Sequence, residues 1–533
     1  MMYLFKNHWP LITILLILWI LVAALAAISV QKNDGHFVYA LDDYYIHMAI
    51  SKNLALHGNW GITRYAFSSS SSSLMWTFLL SGIFVVFGVN IFAALVLNII
   101  FATLFCFLAY VILFREGIKH RQSLAVLLCL VFLTPLISLI FCGLEHVLQL
   151  LLTVIFVFLS AQILAKNKSS FSTSVLLLMA APLLTMTRYE GLFLILVVCC
   201  LFLIRKRPFF ALTLGFLALL PIVLYGLISL DQGGFFLPNS VLLKGNTPHL
   251  SSVTGIVEFL GYQGFRALTE NPHVLFLLLA MLFMLILLDK CHFWSRIPLL
   301  NIILVPAILL HMQFADTGWF YRYEAYLIGA GILAIAVALP YALPDNFSFK
   351  SMNRRAFHKY LALLLLIILM MIPLVKRGGF ALVNTLGATN NIYDQQYQMG
   401  LFLKKFYTGR AVAANDIGAI NALADIRCLD LAGLGSQEVA HARKQGTFNL
   451  QKIDQLTRDN QVEIALLYDQ WFSRRILSRW TKVGSWTISH NVVCAEDTVS
   501  FYAVDPAAAD QLRKNLTVFL PLLPPDVAAE IIK

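Results

Sequence analysis

The chain has 533 residues, 59% of them hydrophobic and 13% charged, with a formal net charge of +11. A soluble protein of that size cannot hide so much apolar surface, so lipid must solvate part of it. The basic residues are scattered between apolar runs rather than clustered, which marks them as topology signals and argues against a nucleic-acid partner.

The first apolar run, LITILLILWILVAALAAISV (11–30), is longer than a signal-peptide core and predicts an uncleaved first helix. Next comes YALDDYYIHM (39–48), with adjacent carboxylates at Asp42 and Asp43. The stretch DDYYIHMAISKNLALHG reads as a helix opened by acids and stopped at Gly58, so the two acids can be simple helix-start partners or functional groups. The run SSSSSS (68–73) has linker composition, but it abuts LMWTFLLSGIFVVFG (74–88) and is suited to cap it. A helix as short as 74–88 reaches about 22 Å, against a roughly 30 Å hydrocarbon core. It is therefore expected to lie along the outer interface.

The loops at 115–122, 166–170, 205–208, 289–296 and 350–359 are all basic, and the positive-inside rule puts them on the cytoplasmic side. Two helices must then separate each consecutive pair. That parity makes 175–204 a hairpin of two short helices turning at TRYEG (187–191). About eleven spans result, at 11–30, 90–114, 122–141, 147–165, 175–187, 191–204, 209–230, 273–288, 297–313, 325–344 and 360–375. From residue 376 charge returns, and RAVAANDIGAI and VEIALLYD read as strands followed by turns. The expected organisation is a membrane domain over 1–375, with an outer first loop at 31–89, and an outer α/β domain over 376–533.

On this topology the unusual charges share one membrane face. Glu145 in FCGLEHVLQL and the pair Arg188/Glu190 in TMTRYEGLF lie almost inside apolar sequence. A charge at the bilayer centre costs about 2.5–3.5 kcal/mol, so such groups usually face a polar cavity and a partner. Each also has a bland reading: Arg188 with Glu190 as a structural ion pair, Arg322 and Glu324 in GWFYRYEAYL as snorkelling residues, His47 as a structural histidine. The cysteines show no metal-ligand spacing, and only Cys428 and Cys494 fall in polar sequence, where an outer location permits a disulfide.

These residues, in this order, resemble the GT-C superfamily of polyprenyl-phosphate-sugar-dependent glycosyltransferases, in particular the branch holding arabinofuranosyltransferases of the AftB type and their bacterial relatives. The DD-aromatic motif of the first outer loop is matched by Asp42-Asp43-Tyr44-Tyr45-Ile46, followed by Ser72, Ser73 and Trp76. Gly143-Leu144-Glu145 matches a later Gly-Leu-Glu motif, and Thr187-Arg188-Tyr189-Glu190-Gly191 matches a T-R-P-E-G turn with Tyr in place of Pro. Pro238-Asn239-Ser240 and Lys244 match P-N-(S/T)…A-K, with Leu243 where Ala is usual. Asn415 to Ala419 and Asp430 to Leu434 match the tail pattern.

The resemblance implies an α-helical polytopic membrane protein of GT-C-like fold in the bacterial inner (plasma) membrane, active at the outer face. Its partners would be a polyprenyl-phosphate-linked sugar donor, a glycan or lipid acceptor, and membrane lipids. Asp42 is expected as general base with Asp43 and Glu145 assisting. Arg322, Lys244 and Arg188 are expected at the donor phosphate, and Tyr44, His47, Glu190, Asn239, Tyr323 and Glu324 at the substrates. No cofactor is required by the sequence; some relatives hold a divalent metal on their carboxylates, but no spacing here demands one. The rival class is a secondary transporter or lipid-linked sugar flippase, with the carboxylates as a proton relay. Transporters commonly show internal repeats, and none is visible.

Overall fold

The structure is a computed structural model that describes residues 2–166, 170–244, 255, 259–343 and 354–532. Among these residues, eight helices are long and apolar enough to cross a membrane, or nine if the bent pair Gly261–Glu270 and Pro272–Leu287 is one span. The hairpin expected over 175–204 is formed by Phe171–Thr187 and Gly191–Ile204, turning through Arg188. The short apolar stretch after the serine run is the helix Leu74–Phe87, and Ser73 Oγ accepts from Trp76 N at 3.2 Å to cap it.

The polar turns sort to the two ends of the bundle. At one end, Arg296 pairs with Glu116 and the Tyr341 hydroxyl donates to Glu116 Oε2 at 3.0 Å, joining three of the turns between helices. At the other end the turns bearing Glu145, Arg188, Glu190 and Arg322 converge on Asp43.

The last apolar helix continues past the apolar run. The expected span 360–375 lies inside a helix covering Arg354–Ile392, so the expected boundary at 375/376 falls within it. The reason is packing by small and hydroxyl side chains, which hydropathy does not register. Gly378 has no room for a Cβ against the Phe132 carbonyl. Thr385 Oγ1 donates to Ser138 Oγ at 2.9 Å, and Ser29 Oγ donates to Thr389 Oγ1 at 3.0 Å.

A six-stranded sheet follows, in the order β2-β1-β3-β5-β4-β6: β1 Ala411–Ala414, β2 Arg427–Asp430, β3 Ile464–Leu467, β4 Thr481–Ile488, β5 Thr498–Ala503 and β6 Val527–Ile531. The first three strands pair in parallel and the rest antiparallel. Successive side chains of a strand point to opposite faces. Val412, Ile464 and Leu466 thus join a core around Phe402 and Trp486, while Ala413, Ala465 and Leu467 face a second core around Ile453 and Leu456. Burial on both faces explains why β1 and β3 read as unbroken apolar runs. Cys428 and Cys494 are free thiols: Cys428 packs beside Ile417 and Leu434, and Cys494 lies in the β4–β5 connection, donating to Gln396 Oε1 at 3.4 Å.

The sheet domain docks on the segment between the first two long apolar helices through end groups of a short helix. The helix Gly418–Leu423 lies along the helix Asp42–His57. Its first amides, Gly418 N and Ala419 N, donate to Asp42 Oδ2 at 2.8 Å and Oδ1 at 2.7 Å. At its other end, Lys52 Nζ donates to the carbonyls of Asn421 at 3.1 Å and Ala422 at 2.7 Å. Helix ends leave such groups without intrahelical partners, and one neighbouring helix here satisfies both ends. A Cβ on Gly418 would overlap the Asp42 carbonyl and carboxylate. Overpacking costs typically about 1–3 kcal/mol, so Gly418→Ala should lower the melting temperature and speed amide exchange across Gly418–Leu423. Unchanged exchange there would show that this contact does not seat the domain.

Candidate active site

Asp43 opens the helix Asp42–His57 beside Asp42 but faces a different environment. It lines a cavity of about 290 Å³ with His47, Glu145, Arg188, Glu190, Arg322 and Tyr323. Leu192, Phe193, Ile222 and Phe314 supply an apolar wall.

Arg188 organises one side. Its Nε donates to Glu190 Oε2 at 3.0 Å and its Nη2 to Glu190 Oε1 at 2.5 Å, a forked pair. Its Nη1 donates to Glu145 Oε1 at 3.1 Å and to Ser72 Oγ at 3.3 Å. Glu145 is fully buried, and its Oε2 accepts no hydrogen bond. His47 Nε2 lies 3.9 Å from that oxygen. His47 Nδ1 is 3.3 Å from Ser71 Oγ, and burial pushes the His47 pKa below its ordinary value.

Arg322 organises the other side. It pairs with Asp43 through Nη2, which also donates to the Tyr323 hydroxyl at 3.1 Å. Its Nε and Nη1 are buried without a hydrogen-bond partner. The guanidinium carbons of Arg322 and Arg188 lie 4.9 and 5.5 Å from the centroid of the Tyr323 ring, so one aromatic ring braces both cations.

The backbone that presents Arg322 is unusual. Gly318, Trp319, Phe320 and Tyr321 have φ of 79°, 36°, 55° and 64°. For residues with a Cβ the left-handed region costs roughly 1–2 kcal/mol each. Such strain persists only when surrounding contacts over-determine it. Here the contacts are those of Glu324 and Arg377. Gly318 N donates to Glu324 Oε2 at 2.9 Å, and Arg322 N to the Gly318 carbonyl at 3.1 Å. Arg377 donates to the Tyr321 carbonyl and, from Nε at 3.1 Å and Nη2 at 2.9 Å, to Glu324 Oε1. His273 Nε2 lies 3.1 Å from the same oxygen.

The residues expected at a site are therefore divided by the fold. Asp43, Glu145, Arg188, Arg322, His47, Glu190 and Tyr323 share the cavity. Asp42 commits both carboxylate oxygens to the docked domain; burial, then the nearby Asp416, raises its pKa well above the usual carboxylate range. Tyr44 is fully buried, its ring 3.8 Å from that of Tyr39 and its hydroxyl donating to the Ile91 carbonyl at 3.3 Å. The two rings leave no room for a Cβ at Gly143, which has φ of 71°. Asn239 is buried and donates from Nδ2 to the Leu434 carbonyl at 3.1 Å. Glu324 is held by Arg377 and His273 behind the Arg322 segment. Lys244 closes the short helix Asn239–Lys244, and its side chain lies outside the described residues. Sequence reading missed Arg377, Asp416 and the unpartnered Tyr189 and Ser240 hydroxyls at the cavity. Arg377 was hidden by its position just beyond the apolar run. Among the described residues, no three His, Cys, Asp or Glu side chains are grouped to hold a metal ion.

A domain of unknown function (DUF8728) matches residues 390–502. No curated protein sequence matches the chain. Among solved structures, ArnT from Cupriavidus metallidurans bound to undecaprenyl phosphate aligns over 92% of this chain and 98% of its own, at 14% identity and a TM-score of 0.53. The same enzyme in the apo state aligns over the same shares at 15% identity and a TM-score of 0.52. The arabinofuranosyltransferase AftD from Mycobacteria, in a mutant form, aligns over 91% of this chain and 41% of its own, at 13% identity and a TM-score of 0.42, too low to carry an argument. The fold is thus an α-helical polytopic membrane bundle of GT-C type with a C-terminal α/β domain, as expected.

Arg188 is the cation that Glu145 and Glu190 share, so Arg188→Ala leaves a buried carboxylate without its counter-charge. Removing one partner of a buried pair typically costs about 3–5 kcal/mol. The expected result is a clear fall in melting temperature of the detergent-solubilised protein, smaller for Arg188→Lys, which keeps the charge but loses the fork. Equal melting of both variants and the wild type would mean that the pair contributes nothing net.

Proposed function

We propose that the protein is a membrane glycosyltransferase that moves a sugar from a polyprenyl-phosphate-linked donor to an acceptor hydroxyl of a cell-envelope glycan or lipid, at the outer face of the inner membrane. The observation that carries this reading is one cavity joining the Asp43–Arg322 pair, the Glu145–Arg188–Glu190 cluster and an apolar wall. The outer orientation is inferred from the basic loops at the opposite end of the bundle. The placement beside the AftB-type branch rests on the ordered motifs. A fold of the ArnT type is consistent with a prenyl-phosphate ligand, since that enzyme was solved with undecaprenyl phosphate bound.

In the proposed reaction the acceptor oxygen attacks the anomeric carbon. The bond from that carbon to the phosphate oxygen breaks, and polyprenyl phosphate leaves with the electron pair. The acceptor proton goes to a carboxylate, and the configuration inverts. Asp43 is better placed than Asp42 to take the proton, because both Asp42 oxygens already accept backbone amides. The unpartnered Nε and Nη1 of Arg322 suit phosphate oxygens, and guanidinium–phosphate bonds are charge-assisted and forked. Phosphate and Asp43 then compete for Arg322. A carboxylate paired with arginine is a weak base, so drawing Arg322 towards the phosphate raises Asp43's basicity when donor is present. Glu145 would accept from sugar hydroxyls through Oε2. In this reading the positive charge at the phosphate is supplied by Arg322, whose Nε and Nη1 have no hydrogen-bond partner.

The test starts with mass spectrometry of cell-surface glycans from cells lacking the protein, which identifies the missing sugar. Complementation and turnover by purified variants follow. Asp43→Asn should cut transfer by about 10²–10⁴-fold with donor binding retained. Arg322→Ala should weaken donor binding more than Arg322→Lys. An unchanged glycan profile, or near-normal turnover by Asp43→Asn, overturns the proposal.

A further inference from the structure

His47 lines the cavity and is held by one ring nitrogen, Nδ1, which lies 3.3 Å from Ser71 Oγ. That hydroxyl has a single proton and two nearer acceptors, the Ser73 carbonyl and Thr77 Oγ1, each at 2.9 Å. Ser71 Oγ also accepts from Ser73 N at 3.2 Å. With the hydroxyl proton committed, Nδ1 carries the ring hydrogen and donates to Ser71, and Nε2 is left with a lone pair.

The group across from Nε2 is a second acceptor. Glu145 Oε2 is buried, has no hydrogen-bond partner and lies 3.9 Å from Nε2, about 1 Å further than a charge-assisted N–H···O bond. Arg188 does not complete this pair, because its guanidinium serves Glu190 as well and meets Glu145 at Oε1. One proton on Nε2 supplies both missing parts: a donor for Oε2 and a second positive charge beside two carboxylates. The titratable and charged groups around His47 are Asp43 on its own helix, Glu145 and His146 at the Gly-Leu-Glu turn, Arg188 at the hairpin tip and Arg322 beyond the left-handed segment. Burial outweighs the two carboxylates and lowers the His47 pKa, so the ring is neutral near pH 7 and open to a proton.

We infer that His47 is the second station of the acceptor's proton: Asp43 takes it from the attacking hydroxyl, His47 Nε2 takes it from Asp43, and Glu145 Oε2 accepts the new N–H. Asp43 and His47 stand four residues apart on the helix Asp42–His57, hence on one face, and both line the cavity. A protonated Asp43 loses its ion pair with Arg322, and passing the proton on restores it. Oε2 keeps its other lone pair for a sugar hydroxyl. The step moves one proton and no other bond, and the proton returns to water as product leaves. The role in turnover rests on the transferase reading; the ring's tautomer and its pairing with Glu145 do not.

Two measurements on the full-length protein separate these claims. Solid-state nitrogen NMR of protein carrying isotope-labelled histidine, with His47→Gln to assign the signal, reads the ring directly. His47 is expected in the Nδ1–H form near neutral pH and to gain its second proton as the pH falls. Glu145→Gln, which keeps an oxygen for Arg188 but not the charge, should move that gain to lower pH. An Nε2–H ring at neutral pH, or a titration unmoved by Glu145→Gln, overturns the pair. The second measurement is turnover with the donor identified by the glycan analysis. His47→Gln should lower kcat by about 10²-fold with the KM for donor nearly unchanged, and His47→Gly should regain part of its kcat when imidazole is added. A normal kcat in His47→Gln, or no response of His47→Gly to imidazole, overturns the relay. No transfer by wild type overturns the transferase reading instead and leaves the NMR result to stand by itself.

Discussion

Arg188 is the group on which the active end of the bundle depends. Two carboxylates, Glu145 and Glu190, sit where the chain would otherwise be apolar, and neither could be held there alone without several kcal/mol of desolvation cost. One guanidinium meets both and reaches Ser72 as well. Three pieces of chain remote in sequence are therefore fixed to each other: the serine run, the Gly-Leu-Glu turn and the tip of the helical hairpin. Once these are fixed, the Asp42–His57 helix has a polar wall to face, and the cavity follows from the packing around it.

Much of the bundle was legible because its rules are coarse. Hydropathy and the parity of basic loops located the helices and predicted the turn at Arg188, since both depend on residue class and not on detail. What escaped was set by atoms. Asp42 and Asp43 are indistinguishable as letters, yet one anchors a domain and the other faces a cavity, because adjacent helical positions point about 100° apart. Glu324 looked like a partner for substrate, but its actual partner, Arg377, lies 53 residues away in sequence. Tyr44 belongs to its motif for packing, filling the space that Gly143 leaves open. The parallel strands β1 and β3 were visible as apolar runs; the antiparallel half of the sheet, with longer but more mixed strands, was not.

The sheet domain does more than cover the bundle. By capping both ends of Gly418–Leu423, the helix Asp42–His57 brings Asn415, Asp416 and Trp471 to the same cavity as Asp43. The cavity at the bundle end and the one beneath the sheet domain thus share Asp43 and Asp316.

The clamp on the left-handed segment limits how the chain can be divided. Arg377 holds both Glu324 and the Tyr321 carbonyl, and so fixes the segment from which Arg322 projects. It belongs to the helix Arg354–Ile392, two residues beyond the end of the apolar run at 375. A chain truncated where hydropathy ends would retain each expected span and still lose this clamp, together with the Thr385 and Thr389 bonds to the bundle. Gly318–Tyr321 would then be free to relax, and Arg322 with it. A portion that preserves the first cavity must therefore extend past Arg377, and Leu434, which also lines that cavity, carries the requirement well into sequence that composition alone assigns to the other domain.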